Sequence, residues 1–284
     1  MWTINDEVSF FNNALRLNSI ESLMVRVNSC YYAFQPKSYN ERVSAPQARN
    51  AAIGNATEKW CKDFFFEIAR ANNLYAVNGV VCPQIGLTSQ SSADLAFCVT
   101  DNKEQTPENI KLIFEIKMGI INNYKYVDDS IEFCGDYFSH KGNPSLLRSD
   151  SMLKAIGKSV NLRVDSAAGK QIPIVILGNS PITNGYKDKV DSLCNSGVIQ
   201  KFISLYPNPS DKEFIRRSPN NGFETFYRSR DVAEYISSLL LTDLNYFSAM
   251  MNNSDLGKLI EKANMESCDE LKGQKFIELL KQRL

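Results

Sequence analysis

Over residues 57–73 the apolar side chains Trp60, Cys61, Phe64, Phe65, Ile68 and Ala71 return at the spacing of one helix face. Asn72-Asn73 then supplies a stop. The pattern changes beyond it. Residues 75–81, 93–99 and 111–118 are short runs rich in branched and aromatic side chains, and they predict three strands. A Ser-rich stretch, 88–92, precedes the second. The polar run 100–109, with Pro107, joins the second to the third, so the three read as a meander. Upstream, residues 6–34 read as helical through Phe10, Phe11, Leu15, Leu17 and Leu23, and residues 35–56, rich in Pro, Ser, Asn and Gly, read as a loop. Downstream, a loop over 128–144 leads to a helix over 145–163. An apolar strand over 172–177, a helix over 186–196 and a strand over 199–205 follow. Near-continuous apolar runs of this kind suit central strands covered on both faces. From Asp211 onward the chain passes a Pro/Asn/Gly turn at 219–222 and then reads mostly as helix. The order α-β-β-β-α-β-α-β predicts an α/β fold with a mixed central sheet. It forms a single domain, 1–284, with a core at about 54–205; residues 1–53 and 206–284 are helical and loop additions.

Composition narrows the chemistry. Hydrophobic residues make up 43% of the 284, enough for a sizeable core. No run approaches the ~18 apolar residues of a membrane helix, so no membrane association is expected. The first residues, Met1-Trp2-Thr3-Ile4-Asn5-Asp6-Glu7, lack the basic-then-apolar pattern of a signal peptide. The seven cysteines form no Cys-x-x-Cys pair, and their number is odd, which fits reduced thiols in a cytoplasmic protein. His140 is the only histidine, so a zinc hydrolase with two or three histidine ligands is excluded within one chain. Neither a Gly-x-Ser-x-Gly elbow nor a phosphate-binding Gly-x-x-x-x-Gly-Lys-Ser/Thr loop is present. What remains is chemistry run on carboxylates, lysine and a hard metal.

Beyond its leading Lys111, the third predicted strand carries two charges where a buried strand should have none. Side chains alternate across a strand, so Ile113, Glu115 and Lys117 share one face. Desolvating such charges is costly unless they have partners, and functional sites are where that cost is tolerated. Asp94 opens the preceding apolar strand, and a meander sets the two strands side by side. Asp94 and Glu115 could then converge on one oxygen-lined cation site, of the sort Mg²⁺ prefers, with Lys117 beside it. The acid-x-Lys triplet recurs at Asp101-Asn102-Lys103 and Glu270-Leu271-Lys272. Only Glu115-Ile116-Lys117 combines strand context with a preceding strand aspartate. The alternative is a sheet edge from which Glu115 and Lys117 point to water.

In these residues and their order the chain resembles the PD-(D/E)xK nuclease superfamily over about 54–205. The family's core is α-β-β-β-α-β, with an acid at the second strand and Asp or Glu-x-Lys in the third. The resemblance implies that Asp94 and Glu115 bind Mg²⁺, that the Ile116 carbonyl is a further ligand and that Lys117 is the catalytic lysine. Ala93 stands where many members have proline. The family often adds an acid from its first core helix; Glu58 fits that place better than Glu67, and Gln84 is a weaker candidate or a plain turn residue. The long additions resemble those of a type II restriction endonuclease. That implies sequence-specific cleavage of double-stranded DNA by a homodimer, leaving 5′-phosphate ends. Another nuclease of this fold, acting in repair or recombination, and a non-catalytic α/β binding protein are the alternatives.

Candidate DNA contacts follow from charge and side-chain type. The 32 basic and 32 acidic residues cancel, but 141–170 carries Lys141, Arg148, Lys154, Lys158, Arg163 and Lys170 against Asp150 and Asp165. This local excess could neutralise phosphates; a solvated helix face accounts for the same charges. Lys154 and Lys158 are spaced to share one face. Arg216, Arg217, Asn220 and Asn221 form a turn rich in groups that pair with base edges. Asn122, Asn123 and Lys125, directly after the charged strand, form another candidate. His140 reads as structural or as a phosphate contact.

Overall fold

The computed structural model describes residues 1–41, 43–44, 46–166, 168–207, 215–242, 244 and 253–282. The chain opens with helix α1 (Ile4–Ala14), whose Thr3 cap exchanges hydrogen bonds with Asp6, and the short helix α2 (Ile20–Leu23). The continuation does not stay helical. Strands β1 (Val25–Val27) and β2 (Cys30–Tyr32) form a hairpin that turns at Asn28, where φ is +55°. Three-residue strands are too short to show a period in sequence, and the apolar residues before them extend the helical reading past its end.

Helix α3 (Gln47–Ala71) begins ten residues before the periodic stretch. Only Arg49 and Ile53 of its first turns are buried, so little amphipathic signal marks them. From Thr57 on, Cys61, Phe65 and Ile68 line the buried face, and the chain leaves the helix at Asn73, in the left-handed region at φ +58°. Next come β3 (Tyr75–Val80), β4 (Ala93–Cys98) and β5 (Ile110–Ile116), paired antiparallel as the meander required. A second hairpin follows, β6 (Asn123–Val127) and β7 (Ser130–Gly135), turning on Asp128 and Asp129; the turn and β7 fall in the stretch read as loop. Together with β1 and β2 it makes a separate four-stranded sheet.

Helix α4 (Ser149–Asp165), β8 (Ile174–Gly178), helix α5 (Lys187–Asn195) and β9 (Lys201–Ser204) complete the predicted alternation. The sheet does not end there. β10 (Phe223–Thr225) adds a sixth strand, and α6 (Ser229–Leu240) sends Val232 and Ile236 into the core. This part of the C-terminal addition therefore belongs to the fold itself. Helices α7 (Asn253–Ala263) and α8 (Asp269–Lys281) pack on each other.

The central sheet has the order β10-β9-β8-β5-β4-β3: antiparallel from β3 to β5, parallel from β5 to β10. It is a mixed sheet covered on both faces, which is why every residue of β8 is buried. On one face α1, α3 and α6 pack, with Phe65 against Phe97 and Phe114. On the other, Met152, Ala155 and Leu162 of α4 meet Ile113, Ile176 and Phe202. Among the described residues no helix is long and apolar enough to cross a membrane.

Candidate active site

The last ladder pair between β4 and β5 at this end is Leu95 with Phe114. Continuing the register by one residue sets Asp94 opposite Glu115, on the same face of the sheet. Here the ladder gives way to a side chain: Asp94 Oδ2 accepts a hydrogen bond from the Ile116 amide at 2.7 Å. Lys117, two residues past Glu115, brings its ammonium to 2.5 Å from Glu115 Oε1 and 3.6 Å from Asp94 Oδ2, and donates to the Ile116 carbonyl at 3.1 Å. The three residues singled out in the sequence thus form one cluster. Neither Glu115 nor Lys117 points to open water, since their side chains are 6% and 19% exposed.

A fourth member comes from α4. Lys158 Nζ lies 3.1 Å from Asp94 Oδ1 and 2.6 Å from Glu115 Oε2. The pairing with Lys154 on one helix face suggested a grip on the DNA backbone. Instead Lys158 reaches into the carboxylate pair, while Lys154, one turn earlier, stays exposed and pairs with Asp150. Glu58, half-buried on α3, completes the group; its carboxyl is raised above the usual range by burial and by Asp94, against the pull of Lys117 and Lys158. Glu67 lies apart, exposed beside Arg70. Gln84 is an exposed turn residue touching Cys82.

Electrostatics follow from this crowding. Burial pushes the Glu115 carboxyl up, Asp94 pushes it further, and the two lysines oppose. Burial alone would lower the Lys158 ammonium, but Asp94 and Glu115 outweigh it and the net shift is upward. Three carboxyl groups here face two ammonium groups, and two of the three, Glu58 and Glu115, are shifted toward holding a proton.

Several residues that hold the cluster were not apparent in the sequence. Asn78 on β3 donates from Nδ2 to the carbonyls of both Glu58 (3.0 Å) and Asp94 (3.2 Å), tying α3 to β4 beside the site. Ser145 donates to the Lys117 carbonyl at 2.6 Å and accepts from the Asn179 amide at 3.0 Å. Asn179 pairs through its side chain with both backbone groups of Gly119. The exit of β5 is therefore clamped to β8 and to the turn that starts α4. Gly178 leaves room for that turn: a Cβ there would come within 2.4 Å of Leu146. At the far end of α4, Arg163 is fully buried and donates to the carbonyls of Gly169, Ile172 and Val198 and to the Gln200 side chain. These are polar residues of ordinary composition, and nothing in their spacing marks them.

The remaining candidates are placed as follows. Asn122 and Asn123 are buried and spoken for: Asn122 donates to Glu7 and Tyr206, and Asn123 Oδ1 accepts from Phe34 and Tyr124. They are not free to read bases, because the buried carboxylate of Glu7 gathers this segment, with Trp2, Ile121 and Tyr124 as further donors. Arg163, counted in the local basic excess, is likewise too deep to meet a phosphate. His140 is structural: buried, stacked on Phe34 and bonded to the Ile121 carbonyl. Lys125 pairs with Glu132 across the second hairpin, and Arg148 pairs with Asp150. Arg216, Arg217, Asn220 and Asn221 lie at the β10 edge, three strands or about 14 Å of sheet from β5. There Arg217 bonds Asn221 and faces Glu224.

The donor set suits a hard cation. Among the described residues no three His, Cys, Asp or Glu side chains gather closely enough to enclose a metal by themselves. Mg²⁺ needs only one or two carboxylates, with waters and substrate oxygens filling its octahedron. Asp94 and Glu115 supply these, and Glu115 Oε2 is a buried carboxylate oxygen without an aligned hydrogen-bond donor. The Ile116 carbonyl is adjacent. Comparison of the chain with family models, with curated proteins and with solved structures finds no match.

Proposed function

We propose that this chain is a Mg²⁺-dependent DNA endonuclease whose reacting centre is Asp94, Glu115 and Lys117, with Glu58 beside them. The observation that carries the reading is the convergence of the Asp94 and Glu115 carboxylates, from adjacent strands, on shared cationic partners less than 4 Å away. These two acids, with the Ile116 carbonyl, would hold the cation. When bound, such a cation polarises a phosphate oxygen and acidifies a coordinated water. The residues do the rest. Lys117, fixed on the rigid exit of β5, offers its ammonium to the negative charge that develops on the phosphorus oxygens. Glu58, half-buried with its carboxyl raised by burial and Asp94, would orient the attacking water or accept its proton.

The substrate in this reading is double-stranded DNA, cut at a specific sequence by a homodimer, so that two sites address two strands. Lys154, exposed on α4 one turn before Lys158, and Arg148, exposed just before the helix begins, are the candidate phosphate contacts. The test is incubation of phage DNA with the protein and Mg²⁺, followed by sequencing of the ends. Discrete fragments with 5′-phosphate ends support the reading. Progressive shortening, or cutting confined to branched DNA, points to a repair or recombination nuclease instead. No cleavage of any DNA form rejects it.

One observation favours a second reading. Lys117 and Lys158 between them contact all four oxygens of Asp94 and Glu115, so the cluster could be a structural ion network in a non-catalytic binding protein. Replacing Lys117 by Ala separates the two: function would survive in a binding protein and be lost in the nuclease.

A further inference from the structure

The cluster holds two ammonium groups, although the reaction calls on one. Each contacts both acids. Lys117 takes Asp94 Oδ2 and Glu115 Oε1, and Lys158 takes Asp94 Oδ1 and Glu115 Oε2. The pair of oxygens facing Lys158 is the pair left for a divalent cation once Lys117 has its own. A dication and this ammonium cannot share those oxygens, since like charges a few ångströms apart repel strongly in a partly desolvated site.

The two lysines differ in how firmly they are held. The backbone of Lys117 donates to Leu177 at 2.6 Å and accepts from Ser145 at 2.6 Å, and its ammonium has a third partner in the Ile116 carbonyl. Among the described residues, the Lys158 ammonium is bonded or paired only with Asp94 and Glu115. It also has somewhere to go. A cleft of about 190 Å³ opens beside it, lined by Gly86, Leu87, Ser91, Asn161 and Asp165.

We propose that Lys158 is an exchangeable counter-cation: its ammonium holds the divalent cation's place between Asp94 and Glu115 and withdraws into the adjoining cleft when the cation binds. The nature of that cation rests on the nuclease reading above. Two consequences follow. The site binds metal weakly by itself, because an internal competitor must first leave. A DNA phosphate that receives the displaced ammonium strengthens metal binding, and metal strengthens DNA binding by the same factor.

Lysine labelling of the full chain with an amine-reactive reagent, read by mass spectrometry, tests the exchange directly. Lys158 is expected to be protected without metal and to label at least about tenfold faster in saturating Ca²⁺. Lys154, 71% exposed, should label equally in both conditions and serves as the internal control. In calorimetric titration with Mn²⁺, Lys158→Gln should bind at least about tenfold more tightly than the parent, while Lys154→Gln leaves the affinity unchanged. Lys158 labelling that ignores saturating cation, or a folded Lys158→Gln protein that binds Mn²⁺ no more tightly, overturns the proposal. If that variant does not fold, the labelling of the unaltered chain still decides. Absence of cation binding in the unaltered chain sinks both this inference and the metal-site reading. Exchange on cation binding without cleavage of any DNA leaves the inference standing and removes the nuclease.

Discussion

Asp94 Oδ2 accepts the Ile116 amide hydrogen at 2.7 Å, where a backbone carbonyl would do so in an ordinary ladder. One carboxylate thus both finishes the sheet and offers its charge to the site, and substitution can separate the two duties. Asp94→Asn keeps an oxygen for the Ile116 amide and loses the charge. It should unfold near the parent's denaturant midpoint yet bind Mn²⁺ at least about tenfold more weakly. Asp94→Ala also strands a part-buried amide, at about 1–3 kcal/mol, which a shift in urea midpoint would register. Equal stability of the two variants would mean that the 2.7 Å bond contributes little.

Lys117 supplies the second prediction. Its ammonium touches both acids, but its backbone is what fixes the exit of β5, so Lys117→Ala should leave the fold intact. Cleavage should fall by about 10²-fold or more, the loss expected when a preorganised charge at a reacting centre is removed. Duplex binding, measured in Ca²⁺ by gel shift, should change by less than about threefold. A fall in binding as large as the fall in cleavage would make Lys117 a DNA contact and no more.

The convergence of these residues was legible because strand geometry is simple. Alternation put Glu115 and Lys117 on one face, the polar loop 100–109 joining consecutive strands implied a meander, and a meander makes β4 and β5 neighbours. Lys158 was legible as a helix position and a candidate phosphate contact, not as a partner of the acids; which face of α4 meets the sheet, and at what depth, is decided by packing that no local period encodes. Asn122, Asn123 and Arg163 mislead for a related reason. Polar side chains read as exposed unless their partners are known, and here the partners are Glu7, 115 residues away from Asn122, and the carbonyls around Arg163. The hairpin of β1 and β2 and the polar first turns of α3 carry too few buried positions to show a period.

Acid should weaken cleavage earlier than an ordinary glutamate predicts. Burial, then Asp94, raises the Glu115 carboxyl above the usual ~4.3, and a proton there competes with the cation. The acidic limb of the rate profile should therefore lie above that value and move to lower pH as Mg²⁺ is raised. Stability responds with the opposite sign. A carboxyl raised on folding takes up a proton in the native state first, so this group's contribution improves as pH falls through its raised value toward the unfolded one. The upward-shifted Lys158 adds stability that is present below its unfolded value and fades only in strong alkali. An acidic limb that ignores Mg²⁺ concentration would remove Glu115 from the cation site.

Asn78 links Glu58 to Asp94 through one amide group, which donates to both carbonyls. Asn78→Ala removes two hydrogen bonds, about 1–3 kcal/mol together. Asn78→Asp is nearly the same shape but sets acceptor-only oxygens against two carbonyls, so it should cost more than alanine in urea unfolding. Cleavage should fall in both variants beyond what the folded fraction explains, because Glu58 is no longer tied to the strand that carries Asp94. If aspartate is tolerated better than alanine, the amide is not acting as the shared donor.

Arg163 tests whether the site depends on a residue well away from it. Its guanidinium, fully buried, donates at 2.6–3.0 Å to three carbonyls and the Gln200 side chain, which fastens the end of α4 to the segments before β8 and β9. Lys158 lies five residues earlier on the same helix, less than two turns away. Arg163→Met fills similar volume but abandons four acceptors in a dry interior, and should cost about 3 kcal/mol or more. Arg163→Lys keeps the charge but not the planar fork that spans those acceptors, so it should recover only part of the loss. If α4 is held chiefly by this fork, protection of Lys158 from amine labelling should decline in the folded Arg163→Lys protein as well. Unchanged protection alongside lowered stability would show that Met152, Ala155 and Leu162 register the helix on the sheet by themselves, and that Arg163 secures only its end.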